Sequence, residues 1–426
     1  MPTSHALKTM YSKVIAVFAV GVLGLSGELA AAPRLPTDPA EVLERLPMRP
    51  GDATGRELAG LRAAVAQAAK DAPADAVPAT RLAEKYFDLA MARGDPRYVG
   101  YADAVIAPFL ANKNAGFSAE LLAMRGQLRQ YRHDFDGALG DFAAALKIDP
   151  QFAAAHAWRG AIYLVQANYA AAKGECDALQ ALGRTTLYGG CIGLTNAYSG
   201  QMATGFAALE RALNDAKDPS NKLWLLARLG EVSAWRGQPE KAEKYYRTAL
   251  ALDIDDGYLL AAWSDFLLDQ KRPAEVVKQL ANWESSDTLL LRLALAESAL
   301  KLPAAKAHVQ ALKDRFDAAR MRGDTTHRAE EARYELQLAG NAAAAVTVAA
   351  ANYKVQREPR DARALLEAAI AARDANAAQP ARDWLQSSGF EDAHLRQLGT
   401  ASSLADNGVR AIAPTPAQAN KAAGKQ

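Results

Sequence analysis

The apolar positions of this chain fall into short stretches of helical spacing, each closed by Gly, Asn, Asp or Pro. Residues 119–152 show the arrangement most fully. A small Gly126 is followed by Asp134-Phe135-Asp136, then Ala138, Phe142, Ala145 and Asp149-Pro150. The next stretch repeats it with Gly160, Asn168-Tyr169, Ala172 and Leu179, and a third with Gly193, Gly200, Gly205, Leu209 and Ala212. A fourth carries Leu229-Gly230, Gly237, Ala242, Tyr246, Ala249 and Leu252-Asp253. A fifth carries Ser264, Arg272-Pro273, Val276, Leu280 and Trp283. The steps from Ala138 to Ala172, Gly205, Ala242 and Val276 are 34, 33, 37 and 34 residues. Those from Ala145 to Leu179, Ala212, Ala249 and Trp283 are the same four numbers. Two columns in one register predict a repeating unit of two antiparallel helices. A glycine or serine in the first helix admits the backbone of the second, and alanines on the second do the same from the other side. The large residue between them fills the remaining gap. Gly, Asp or Asn in the turn ends one helix and caps the next, and Pro150 stops the second.

Weaker pairs flank the clear ones, at 80–93 with 98–110, 288–300 with 303–320, 327–339 with 341–355, and 361–372 with 379–386. Upstream, residues 41–46 and 56–70 predict a short helix and a capping helix. The pattern resembles the tetratricopeptide repeat, a 34-residue helical pair, over about residues 79–388. Its Ala-x3-Phe element stands as Ala138 to Phe142 and, with Tyr, as Ala242 to Tyr246. The sequence departs from the family at the tryptophan position, which holds Leu122, His156, Gly189 and Leu226, and at the Leu-Gly pair, which reads Arg125-Gly126 and Arg159-Gly160. The resemblance implies an all-α solenoid, a superhelix of about eight stacked antiparallel pairs whose end units are irregular because one face meets solvent.

The ends of the chain read differently. Residues 1–32 have the form of an export signal, with basic Lys8 and Lys13, twelve apolar residues from Val14 to Leu25, and a small-residue exit at Ala30-Ala31-Ala32. A bilayer span needs roughly 20 such residues. Pro33 disfavours cleavage at that exit, so a retained amino-terminal anchor stands as the alternative, and membrane contact is expected only in that case. Residues 33–78 form an extension with the capping helix, and 389–426 a short helix followed by a tail. After about residue 405, Pro414-Thr-Pro416 and the polar residues beyond it cannot bury enough surface to order the chain.

Composition narrows the chemistry. In 426 residues, 50 basic groups are interleaved with 48 acidic ones, which gives no electrostatic handle for nucleic acid. His-Glu-x-x-His, Gly-x-Ser-x-Gly and a phosphate loop are all missing, and no histidines pair at helical spacing. Neither a metal, a small-molecule cofactor nor a catalytic set is expected. His133 and His156 read as structural or solvated, and Glu330-Glu331 and Asp255-Asp256 as surface charge pairs. Cys176 and Cys191 lie fifteen apart on neighbouring helices of the register. In an oxidising compartment they bridge; otherwise they are two buried thiols.

By the family register the concave wall is formed by first helices. Its exposed positions include Gln127, Gln130 and Tyr131, then Leu194 and Tyr198, then Trp224, Glu231 and Trp235 with Arg228 beside them, and Tyr258, Asp265 and Asp269. From these, Tyr131, Tyr198, Trp224, Arg228, Glu231, Trp235 and Asp265 are the expected partner-binding groove. Flat rings with carboxylate and amide groups suit an extended peptide, whereas Trp224 and Trp235 packed between helices would be ordinary core. The resemblance implies a non-enzymatic scaffold that binds a protein or peptide. The signal and the alanine-rich composition place it in a bacterial cell envelope, in the periplasm. A helical hydrolase acting on envelope polymers, or a subunit of a secretion or polysaccharide-export assembly, remains the alternative.

Overall fold

The computed structural model describes residues 52–112 and 116–403. The expected signal, the helix at 41–46 and the tail after about 405 lie outside the described residues. The chain divides into a unit of residues 1–56 and a unit of residues 57–426, and the architecture below is that of the second. Among the described residues there are twenty helices and no strand.

Helix α1 (Ala53–Asp71) precedes nine helical pairs, where the sequence led to about eight. The first is α2 (Val77–Arg93) with α3 (Arg97–Ala111), then α4 (Ala119–Tyr131) with α5 (Phe135–Ile148) and α6 (Ala153–Val165) with α7 (Tyr169–Ala181). Next come α8 (Thr185–Tyr198) with α9 (Met202–Asp215), α10 (Pro219–Trp235) with α11 (Pro239–Leu250), and α12 (Gly257–Asp269) with α13 (Pro273–Leu280). The last three are α14 (Asp287–Ala299) with α15 (Ala305–Met321), α16 (Arg328–Gln337) with α17 (Ala342–Tyr353), and α18 (Pro359–Ala372) with α19 (Ala375–Ser388). Helix α20 (Ala393–Ser403) follows them.

The repeat columns carry the packing. Ala138, Ala172, Ala242 and Val276 are fully buried, as are Ala145, Leu179 and Ala249. A Cβ on Gly126 would stand 2.9 Å from the Phe142 ring, and one on Gly230 2.7 Å from Tyr246, so each glycine is the space its aromatic partner occupies. Trp283 does not hold its expected column place. Helix α13 stops at Leu280, and Trp283 sits half-buried in the turn beyond it. Side-chain oxygens cap both kinds of helix: Ser118 accepts from Leu121 N at 3.1 Å, and Asn168 from Ala171 N at 3.2 Å.

The two departures from the Leu-Gly pair are matched by acids on the partner helix. Arg125 donates to Asp141 at 2.5 Å, and Arg129 adds a bond to the same carboxylate at 2.8 Å. One unit later, Arg159 stands 2.8 Å from Glu175, which His156 also reaches at 2.7 Å. A buried carboxylate needs such partners; here each pair of helices supplies both sides.

The array winds back on itself. A Cβ on Gly257, at the start of α12, would stand 3.0 Å from Met91 O of α2. Farther along, His133 and Gln356 side chains meet at 2.6 Å, Arg357 N donates to Val165 O at 2.7 Å, and Trp384 Nε1 donates to Tyr169 OH at 2.7 Å. One hydrophobic cluster accordingly joins Leu164, Tyr198 and Met202 to Tyr353, Leu365 and Phe390. The last two pairs thus lie against the second, third and fourth.

Candidate functional site

Helices α10, α12, α14, α16 and α18 are the first helices of the last five pairs, and together they wall a cavity of about 590 Å³. Each packs one face on its own second helix and turns residues of another face to the cavity. The wall alternates rings with fixed charges. Trp235 and Tyr258 bring the rings; Asp265, Glu330, Arg333 and Arg360 are among the charges.

Those charges are cross-linked between pairs. Asp265 accepts from Arg292 at 2.6 Å and from Arg333 at 2.9 Å. Burial alone would raise its carboxyl, but the two guanidinium groups outweigh that and hold it at about 2. Arg363 reaches Asp269 with both terminal nitrogens, at 2.7 and 2.8 Å. Arg228 lies 4.0 Å from the Tyr258 ring centroid and donates to Glu231 at 2.9 Å, while Tyr258 donates to the other Glu231 oxygen. Burial pushes the Tyr258 hydroxyl well up. Arg360 donates to Glu358 at 2.8 Å and keeps 53% of its side-chain surface open, because it faces the cavity.

The structure divides the expected groove. Glu231, Trp235 and Asp265 lie on the cavity wall. The other four do not. Tyr131 stacks edge-on against Phe87 of α2, and burial pushes its hydroxyl to about 12. Tyr198 is 3% exposed and sits in the core. The Trp224 ring occupies the space beside Gly190 of α8, where a Cβ would be 2.2 Å from it. Arg228 is enclosed by Tyr258 and Glu231. Three of the seven expected groove residues therefore meet on one cavity among the last five pairs, and the other four pack against neighbouring side chains.

Residues that the sequence left out complete the wall: Arg292, Glu330, Arg333, Arg360 and Arg363. Carrying the first-helix register into the weaker late units would have reached them. Glu330 and Glu331 are not a surface pair. Glu330 faces the cavity, and Glu331 is buried against Arg320. Asp256 caps α12 through Leu259 N at 2.6 Å. Cys176 and Cys191 form a disulfide between α7 and α8, with Gly160 of α6 against Cys191. A loop of this length stabilises by about 3 kcal/mol on the chain-entropy account. Among the described residues, no group of His, Cys, Asp and Glu is arranged to hold a metal ion, and no helix is long and apolar enough to cross a membrane.

No protein-family model and no curated protein matches the sequence. Solved structures that it resembles include a tetratricopeptide repeat protein from Parabacteroides merdae, 14% identical, covering 62% of this chain and 93% of that one with a TM-score of 0.40. Another is the tetratricopeptide domain of P58(IPK), 15% identical, covering 76% of this chain and 98% of that one with a TM-score of 0.20. What this chain's own packing and register establish is the fold: an all-α solenoid of tetratricopeptide-like helical pairs.

Proposed function

We propose that the chain is a non-enzymatic scaffold that captures a protein or peptide segment against the inner face of its helical array, in a bacterial cell envelope. The cavity carries this reading. Its rings and cross-linked charges offer flat apolar contact with polar fixation. The basic, apolar and small-residue order of residues 1–32 supports export, and a disulfide fits an oxidising compartment.

Ala262 of α12 lines the cavity without filling it. Ala262→Phe places a ring in that space and should abolish capture of an envelope partner, identified from extracts and then re-tested in purified form. Helical content and melting should stay close to those of the parent. Undiminished capture by a folded Ala262→Phe variant removes the cavity from the reading. Export is tested separately: protein from the periplasmic fraction should begin near Pro33, and an intact Met1 in a membrane pellet would establish the anchor instead.

A further inference from the structure

The stretch between α19 and α20 is not helical, and it lies across the ends of α8 and α10. Phe390 is fully buried there, with its ring centroid 5.2 Å from Trp384, 5.4 Å from Trp235 and 6.4 Å from Tyr198. The next residue, Glu391, accepts from Met202 N at 2.8 Å. That amide opens α9, where the aligned peptide dipoles favour a carboxylate. The two backbones touch: a Cβ on Gly200 would stand 2.8 Å from Ser388 O and 2.9 Å from Gly389 O. From the rear, Arg396 donates to Phe390 O at 2.7 Å and Gly389 O at 2.9 Å, which holds the stretch in shape without using its ring or carboxylate.

One inserted ring followed at once by one carboxylate at a helix start is how a short bound peptide would engage this surface. Tyr198, Trp235 and Trp384 form the aromatic seat that receives the ring. We propose that residues 388–392 act as an internal ligand of the inner face, and that the partner is a protein bearing an aromatic side chain directly followed by an acidic one, which displaces this segment. The inference rests on the scaffold reading above and adds the chemistry of the partner to it.

The probe is a fluorescein-labelled synthetic peptide with the sequence of residues 386–395, titrated by anisotropy into the full-length chain. Glu391→Lys breaks the contact with Met202 N while leaving the buried ring in place, and Phe390→Ala removes the ring. Either change raises the fraction of molecules with the surface free, so the peptide should bind each variant at least about tenfold more tightly than the parent. A peptide with Ala in place of its Phe should not bind. Equal binding to folded variants and parent, or equal binding of the two peptides, overturns the proposal. Should both variants lose their helical circular dichroism, hydrogen exchange decides on the parent protein. Saturating peptide must then speed exchange across residues 384–396, and unchanged exchange overturns the proposal. A partner blocked by Ala262→Phe but indifferent to this peptide overturns the internal ligand and leaves the scaffold standing.

Discussion

The turn inside each of the nine pairs holds one residue at positive φ, and five of these are not glycine: His133, Ala167, Lys271, Lys301 and Arg373. From His133 to Ala167, Gly200, Gly237 and Lys271 the steps are again 34, 33, 37 and 34, so this is a third column in the register. An L-residue there costs roughly 1–2 kcal/mol, of which glycine returns part through its greater freedom when unfolded. Ala167→Gly should therefore stabilise by about 0.5–1 kcal/mol in denaturant melts, the opposite of the usual effect of adding glycine. His133 has a second role. Gln356 Nε2 donates to its Nε2 at 2.6 Å, which requires a neutral ring. Burial, then Arg360 and His327, lower its pKa to about 4 against the raising pull of Glu330 and Glu358. The unfolded histidine takes up a proton below about 6.5, so the folded state loses stability as pH falls from about 6.5 toward 4. Melting should drop between pH 7.5 and 5, and His133→Gln should flatten much of that drop. A parent whose melting is level across this range would show that the ring does not titrate as its surroundings demand.

At the scale of helices, the closeness of each pair is set by backbone, and two glycines separate the cases. A Cβ on Gly205 of α9 would stand 2.4 Å from Gly193 O and 2.7 Å from Ala197 N, where no flexible side chain can yield. Gly205→Ala should cost about 1–3 kcal/mol. On the exposed side of α3, Gly100 has nothing within 4 Å, and Gly100→Ala should gain about 0.5–1 kcal/mol through helix propensity alone. Chemical denaturation of the two variants side by side reads both signs. These local devices were largely legible in the sequence, because a 34-residue step repeats the same contact and each repetition reinforces the next. The left-handed column was only half legible, since Ala167 and Lys301 carry no mark of their backbone state. The matched pairs Arg125 with Asp141 and Arg159 with Glu175 were legible only as departures from the family. Their acids lie on the facing helix, sixteen residues on in each case.

For the molecule as a whole, what could not be read was the return of the last pairs onto the first ones. Periodicity reports how a unit meets its neighbour, whereas contacts such as His133 with Gln356 or Tyr169 with Trp384 join positions more than two hundred residues apart. That is why Tyr198, which Phe390 meets from across the array, read as a groove residue and stands packed instead. In an open stack the end units fray first. Here α18 and α19 share a core with α8 and α9, so their slowest amides should exchange as slowly as those of α8 and α9, and markedly faster exchange would mean that the return is not maintained in solution. The same return has a bearing on synthesis. The segment that covers Tyr198, Trp235 and Met202 is among the last of the described residues to be made, so every nascent chain passes through a stage with that apolar wall bare. A message or a protease that stops the chain before Pro359 leaves it bare for good, with a sticky surface for chaperones and proteases to find. A polypeptide read through Glu391 hides it, so a chain cut short before that point shows the cut on its own surface.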